Sequence, residues 1–550
     1  MAGLGRDTGL TYCRYTVVMP VAPATRAVPA AAAALLADLG AILPPDRLIT
    51  DPDELFVYES DGFTIAHARP AAVCFPITTD EVARVVTTLV RHDAQVVPRG
   101  SGTGLAGGCV AYDLGVVVSV ARMNRVLAID LDNRVAHVEA GVRNLALSDA
   151  VALEGSGVRV QGSAEKVPPK TSPARDPEAA GAGLARPALA TSSSQPATPY
   201  HFAPDPSSQR ASTIGGNAST NAGGIHTLKD FVTSNHVLGF EMVLADGSVI
   251  EVGATDGCYE SGPFDLPGLI CGHEGTLGII TRLWVRLVPK ATSFRTAVAV
   301  FASSADACNA VSEVIAAGVL PAAMEMMDGT MIRIVEDAFH FGFPPTAQAL
   351  VLIEIDGIDA LLDEQLDDVI AICTKHHATS VEKSSDPARR AALWKARKGA
   401  FGAIGRVSHS YCTQDACVPR STLAQVLERI DRIGKEHGIA ITNVFHAGDG
   451  NVHPIFMYDE RDPAAVANVM RAAERVLQYC IDVGGTTTGE HGVGVEKLHL
   501  MPYQFDRPTM AMFDRVKRAF DPDERINAGK LLPSDKVKIS LVSPGRQSPQ

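Results

Sequence analysis

Apolar positions fall into short runs in the first half of the chain and into longer alternating blocks in the second. From Ala71 to Pro98 the pattern predicts strand, helix, strand: AAVCFPI, then an amphipathic stretch from Thr79 to His92 with Val82, Val85, Val86 and Leu89 at helical spacing, then AQVVP. A helix is predicted over residues 29–39. Three further β runs, at 116–121, 125–130 and 134–140, are each bounded by Asn, Asp or Gly. From about residue 291 the grammar changes. TAVAVF, AAMEMM and ALVLIEID alternate with helical stretches at 304–317, 359–376, 387–404 and 421–437. This predicts an α+β second domain, a ferredoxin-like sheet with helices on one face.

Between these blocks, residues 163–199 hold seven prolines and no aromatic residue, too little apolar surface to offset the entropy of ordering. They are expected to form a flexible insertion. HFAPDPSSQRASTIGGNASTNAGG (201–224) is expected to be extended chain closely approached by a ligand. The resulting division is an N-terminal extension (1–40), a first domain (41–290), a second domain (291–500), a return to the first (501–535) and a tail (536–550).

Composition narrows the function classes. A length of 550 residues with 46% apolar and 20% charged residues is globular and long enough for several domains. The net charge of −13 opposes a nonspecific nucleic-acid binder. Ten cysteines without a CxxC pair exclude a disulfide scaffold, a zinc ribbon and a cysteine-ligated cluster, and read as thiols in a reducing compartment. No apolar run is long enough for a transmembrane span. Residues 1–26 carry three arginines and one acid, a faint transit-peptide signature that reads first as an unstructured N-terminus. A cytoplasmic location is expected, or a mitochondrial one in a eukaryote.

Gly102, Gly104 and Gly107 spell GxGxxG, and Asp130 stands where a dinucleotide fingerprint would want an acid. The context refuses that reading, because the β-branched run VVVSV follows where a helix should start. The loop reads instead as backbone amides curled round a phosphate, or as a tight turn.

Taken together, PRGSGTGLAGG, PDPSS, TIGGN, NAGG and EGTLGI, in this order, resemble the FAD domain of the vanillyl-alcohol oxidase type of flavoprotein. The nearest branch is that of glycolate oxidase flavin subunits and D-lactate dehydrogenases, with a match from about Asp46 to Pro533 outside the insertion. The resemblance implies a two-subdomain FAD-binding domain followed by a substrate (cap) domain. It assigns the diphosphate to the loop Pro98, Arg99, Gly100, Ser101, Gly102, Thr103 and Gly104. The flavin falls to Pro204, Asp205, Ser208, Ile214, Gly215, Gly216 and Asn217 with Gly223 and Gly224, and the adenine side to Glu274, Gly275, Gly278, Ile279 and Ile280. Relatives that tether FAD covalently carry His at the position of Thr103, so noncovalent FAD is expected. His273 stands where a small Ser is common, and Asp230-Phe231 where Tyr-Gly is usual, which puts adenine packing there in question.

In NVFHAGDGNVHPIFMYD (443–459), His446 and His453 flank a turn that can bring both to one face as cross-strand neighbours. GGTTTGEHGVG (484–494) adds Glu490 beside His491. Two His and one carboxylate with open positions suit a catalytic divalent ion. Each segment alone also reads as hydrogen-bonded loop histidines or a plain turn. The resemblance makes His446, His453 and Glu490 metal ligands (Zn, Mn or Fe) and His491 the base that takes the substrate's hydroxyl proton. It makes Arg397 the carboxylate-binding arginine, in bidentate fashion. Phe401 stands where hydroxyglutarate-specific relatives carry Thr, which favours a short substrate.

The expected activity is FAD-dependent oxidation of a short D-2-hydroxy acid, glycolate or D-lactate, to the 2-oxo acid. The alternatives are a noncatalytic electron-transfer flavoprotein, a D-2-hydroxyglutarate dehydrogenase, and a nonoxidative flavoenzyme of ether-lipid synthesis. By the same resemblance, electrons would leave through an iron-sulfur partner subunit at the inner membrane face.

Overall fold

A computed structural model describes residues 30–155, 200–254 and 263–534. The proposed leader within 1–26, the insertion at 163–199 and the tail at 536–550 lie outside the described residues.

The predicted strand-helix-strand unit is present. Ala72–Cys74, Val116–Ser119 and Val96–Arg99 run parallel, with Leu48–Ile49 antiparallel at one edge. The crossover helix Thr79–Arg91 starts at Thr78, whose side chain accepts from the backbone N–H of Glu81, and it buries Val82, Val85, Val86 and Leu89. As expected, no helix follows the glycine loop: one 3-10 turn, Tyr112–Leu114, leads into strand Val116–Ser119. Val126–Asp130, Val135–Glu139, Ile279–Arg286, Val237–Val243 and Val249–Gly253 form a second, antiparallel sheet. Both sheets share one apolar core, which also takes in Leu35 and Leu39 of the helix Ala30–Gly40, so the packed body includes residues before 41.

The second body is built on a nine-stranded sheet. Its spine is Ala378–Ser384, Ser293–Phe301, Ala349–Gly357, Ala323–Asp328 and Ala440–His446, with every neighbour antiparallel. Helices cover both faces, not one. Ala297, Ala299, Val351 and Ile353 pack against helices Ser304–Ala316, Asp359–Lys375, Leu423–His437 and Pro463–Asp482. The alternate positions Val298, Val300, Leu350 and Leu352 pack against Gly329–Phe339 and Pro387–Ile404. The cause is in the strands: TAVAVF and ALVLI are apolar at odd and even positions alike, so both faces need cover.

One segment departs from the extended chain expected over 201–224. Ile214–Thr220 is a helix, capped by Thr213, whose side chain accepts from the N–H of Gly216 at 3.1 Å. Gly215 lets it lie against Ala140, whose Cβ would be 2.6 Å from any added Cβ. After residue 501 the chain returns to the first body: Val96 donates to the carbonyl of Arg525 at 2.9 Å, and Asn527 donates to that of Val96 at 2.8 Å.

Candidate active site

A single cavity runs between the two bodies. Its first end is lined by Pro98 to Gly104, Ser208, Gly215 to Asn217, Glu274, Gly275 and Gly278 to Ile280; its second by Arg397, Lys398, Phe401, Tyr411, Thr413, His446, His453, Glu490 and His491. The structure therefore gathers most of the residues singled out in the sequence into one place.

Five expected cofactor contacts lie behind the wall. Ile214 is fully buried in the core, and the carbonyl of Pro204 accepts from Asn144 at 2.8 Å. Asp205 is engaged by Nδ1 of His226 at 2.8 Å. Gly223 and Gly224 make room for protein: an added Cβ would lie 2.9 Å from Glu490 Oε2 in one case and 2.6 Å from Asp205 in the other. The two departures from the family pattern are also off the cavity. His273 is buried, its Nδ1 accepting from the N–H of Leu277 at 3.2 Å, and Phe231 is an exposed helix cap with φ of 64°.

At the second end, the histidine hairpin has a definite register. His446 pairs with Asn451, and Asn443 with Pro454, so His453 is the diagonal neighbour of His446 on the same face. Their rings meet edge to face, with centroids 5.1 Å apart. Oε1 of Glu490 lies 3.3 Å from Nε2 of His446 and 3.3 Å from Nε2 of His453. Two ligand atoms each roughly 2.1 Å from one ion are about 3.4 Å apart at a tetrahedral angle. The donor set and its spacing thus fit a divalent ion.

Behind these atoms are carboxylates that the sequence reading missed. Glu325, directly across the sheet from His446, accepts from its Nδ1 at 2.6 Å. Its other oxygen accepts from Nε of Arg397 at 2.7 Å, with Nη2 at 2.6 Å. Arg397 sits mid-helix and buried. Its Nε/Nη2 edge is committed to Glu325, so the Nη1/Nη2 edge is the one left for a substrate carboxylate. Burial opposes charge on His446, yet Glu325 and Glu490 on either side outweigh it and hold its pKa well above the ordinary value. A proton there balances the two carboxylates, and a cation among the three ligand atoms would do the same.

Asp415, fully buried, organises the loop that carries Glu490 and His491. Its Oδ2 accepts from Oγ1 of Thr488 (2.6 Å) and from the N–H groups of Gly489 (2.8 Å), Glu490 (3.1 Å) and His491 (3.0 Å), with Nζ of Lys497 at 3.4 Å. Glu274 reaches across from the first body and accepts from the N–H groups of Val493 (2.7 Å) and Gly494 (2.6 Å). His491 stacks on His453 with centroids 5.0 Å apart and planes 7° from parallel. Burial holds its pKa down to about 4, so at neutral pH its imidazole is uncharged and able to take a proton. A signal for one missed acid was present: Glu325 is a lone charge inside the apolar run AAMEMM, and a buried charge needs partners.

The sequence pattern described as "FAD binding domain" matches residues 70–166 and 195–253, and that of "FAD linked oxidases, C-terminal domain" matches 290–531. The chain is 36% identical over 492 residues to glycolate oxidase subunit GlcD of Escherichia coli (strain K12), covering 90% of this chain and 89% of that protein. This chain belongs to the FAD-linked oxidases. A more distant member of its kin, mitochondrial D-lactate dehydrogenase [cytochrome] of Arabidopsis thaliana, is 27% identical over 503 residues, 91% of this chain and 80% of that one. The fold of this FAD-linked oxidase is that of p-cresol methylhydroxylase, whose crystal structure with substrate bound superposes with a TM-score of 0.70 at 14% identity, covering 92% of this chain and 98% of that one. The vanillyl-alcohol oxidase type of fold is thereby established.

The first end of the cavity fits FAD by its own features. Gly102, at φ of 72°, turns the loop backbone to the cavity wall, and a Cβ at Gly100 would lie 2.6 Å from Thr213 Oγ1. Ser212 Oγ and Asn217 Nδ2, both on the wall, are buried and lack a hydrogen-bond partner among the described residues. Thr103 also lines the cavity.

Proposed function

We propose that this FAD-linked oxidase oxidises a short D-2-hydroxy acid, glycolate or D-lactate, to the 2-oxo acid. The observation that carries the reading is the placement of Glu490 Oε1 3.3 Å from the Nε2 atoms of both His446 and His453, with His491 alongside, in the cavity that the FAD loops also line. FAD, when bound, supplies the hydride acceptor, and a divalent ion (Zn, Mn or Fe) supplies the positive charge that lowers a hydroxyl pKa. His446, His453 and Glu490 would hold that ion. His491 takes the hydroxyl proton at Nε2, which lies 3.9 Å from Glu490 Oε1, and its neutral state at pH 7 suits that role. Arg397 orients the substrate carboxylate with the guanidinium edge that Glu325 leaves free. Phe401 at the same end presents an apolar side chain, which favours a substrate without a second carboxylate; Lys398 lines that end too, and assay of D-2-hydroxyglutarate decides between them.

A noncatalytic electron-transfer subunit has no use for His446, His453, Glu490 and His491 in one cavity, which weighs against it. Reoxidation by a separate iron-sulfur subunit is part of the proposal, as is noncovalent FAD. No helix among the described residues is long and apolar enough to cross a membrane, in keeping with a peripheral place in such an assembly. The test is a panel of short D- and L-2-hydroxy acids and D-2-hydroxyglutarate, assayed with a dye acceptor before and after chelation. Turnover of glycolate or D-lactate that is lost on chelation and restored by Zn, Mn or Fe supports the reading; turnover indifferent to chelation defeats the metal. Rapid oxygen consumption matching the dye rate would defeat the partner subunit.

A further inference from the structure

We propose that Asp415 is a positioning residue that fixes which ring nitrogen of His453 carries the proton. The inference rests on the reading above, in which His453 is a ligand and His491 the base. Both roles need a bare lone pair on the nitrogen that faces the reaction, and a neutral imidazole has one N–H to place on the other. For His453 the inward nitrogen is Nε2, 3.3 Å from Glu490 Oε1, while Nδ1 lies 3.9 Å from Asp415 Oδ1. His491 lies nearly parallel to it, and its nitrogen, that of His453 and a carboxylate oxygen of Asp415 all fall within 4.8 Å of one another. The Nδ1 atoms of both rings are buried and without a hydrogen-bond partner among the described residues.

An ionised carboxylate only accepts. Asp415 is kept as an acceptor by the donors around it: Lys497, the Thr488 hydroxyl and the N–H groups of Gly489, Glu490 and His491. Its Oδ1, set behind the His453 ring, selects the Nδ1–H form there and leaves Nε2 bare. The gap at His453 is closed by a small ring rotation. His446 has the same arrangement, with Glu325 behind its Nδ1 at 2.6 Å, so each ligand histidine has its own carboxylate. A second cation among Asp415, His453 and His491 is the competing occupant of this spot, and the Lys497 ammonium 3.4 Å from the carboxylate opposes it.

The test has two arms. In wild-type holoenzyme labelled with 15N-histidine, long-range proton–nitrogen spectra should report the Nδ1–H tautomer for His453; an Nε2–H tautomer there overturns the proposal. In Asp415→Asn, which puts a donor where only acceptors stood, FAD should be retained while affinity for the divalent ion falls roughly 10–100-fold. The kcat at saturating ion should fall at least tenfold, with a smaller change in KM. Thr488→Val removes two loop hydrogen bonds, one to Asp415 and one from the N–H of Gly492, and keeps the carboxylate, so an equal loss there would reduce Asp415 to a loop scaffold and overturn the assignment. Wild-type affinity and kcat in Asp415→Asn would also overturn it. If Asp415→Asn fails to hold FAD, the wild-type spectrum decides alone. A wild-type protein that binds no divalent ion defeats the metal reading, and the spectrum still judges the tautomer.

Discussion

Glu325 and Arg397 form an ion pair almost sealed from water: the carboxylate lies 2.6 Å from Nη2, and the side chains are 1% and 3% exposed. A pair in that setting contributes little net stability while intact, but breaking it strands a buried charge. Glu325→Ala is therefore expected to cost on the order of 3 kcal/mol in urea denaturation. The same change removes the acceptor behind Nδ1 of His446, so ion affinity should fall roughly tenfold or more. Wild-type stability and ion content in the variant would show that Glu325 supports neither neighbour.

His491→Ala should retain FAD and the divalent ion and lose turnover by at least roughly a hundredfold, the usual contribution of a positioned base. By contrast, His446→Ala and Glu490→Ala should lose the ion together with activity. Flavin absorbance, metal analysis and dye-linked turnover on the same preparations separate these cases. An active, ion-loaded His446→Ala protein would remove the hairpin from the mechanism.

The flavin should leave the polypeptide intact on acid precipitation, because Thr103 offers no imidazole for a covalent bond in the loop that lines the cavity. Yellow colour remaining in the washed pellet would contradict this.

Glu496 gives a pH dependence with a definite sign. It is 1% exposed; burial raises its pKa to about 7 from 4.5, despite Lys497 beside it, and Gln414 donates to Oε1 at 2.7 Å while Oε2 has no partner among the described residues. Below pH 4.5 the carboxyl is protonated folded or unfolded and costs nothing. As the pH rises from 4.5 to about 7 the unfolded chain ionises first, so the stability present at low pH is lost through that window. Glu496→Gln should abolish the loss and stabilise the protein at pH 8 by about 2–3 kcal/mol. Melting curves of both proteins from pH 4.5 to 8 read the difference, and parallel pH profiles would refute it.

Strands, helices and loops with strong local patterns were legible in the sequence. Thr79–Arg91 shows its helical spacing openly, and helix Pro387–Ile404 falls where the pattern put it. What periodicity could not give was the number of faces a sheet must cover, although TAVAVF and ALVLI carried that information in their unbroken apolar character. The helix Ile214–Thr220 was hidden by its glycines, whose low propensity is overridden by close packing on Ala140. At the site, the residues with distinctive chemistry and glycine-rich flanks, His446, His453, Glu490 and His491, could be found. Glu325 and Asp415 could not be linked to them, because their partners lie far away in the chain and are brought near only by strand pairing and loop closure.

Glu274 belongs to the body that lines the first end of the cavity, yet its two oxygens accept from the backbone of Val493 and Gly494, two and three residues after His491. The two halves are thus not modules that could be separately inherited or expressed. A fragment ending near residue 290 would leave the Glu274 carboxylate to water, and a fragment beginning there would leave the amides of Val493 and Gly494 without their acceptor. The loop that carries Glu490 and His491 should therefore take its final form only once the first body has folded against it.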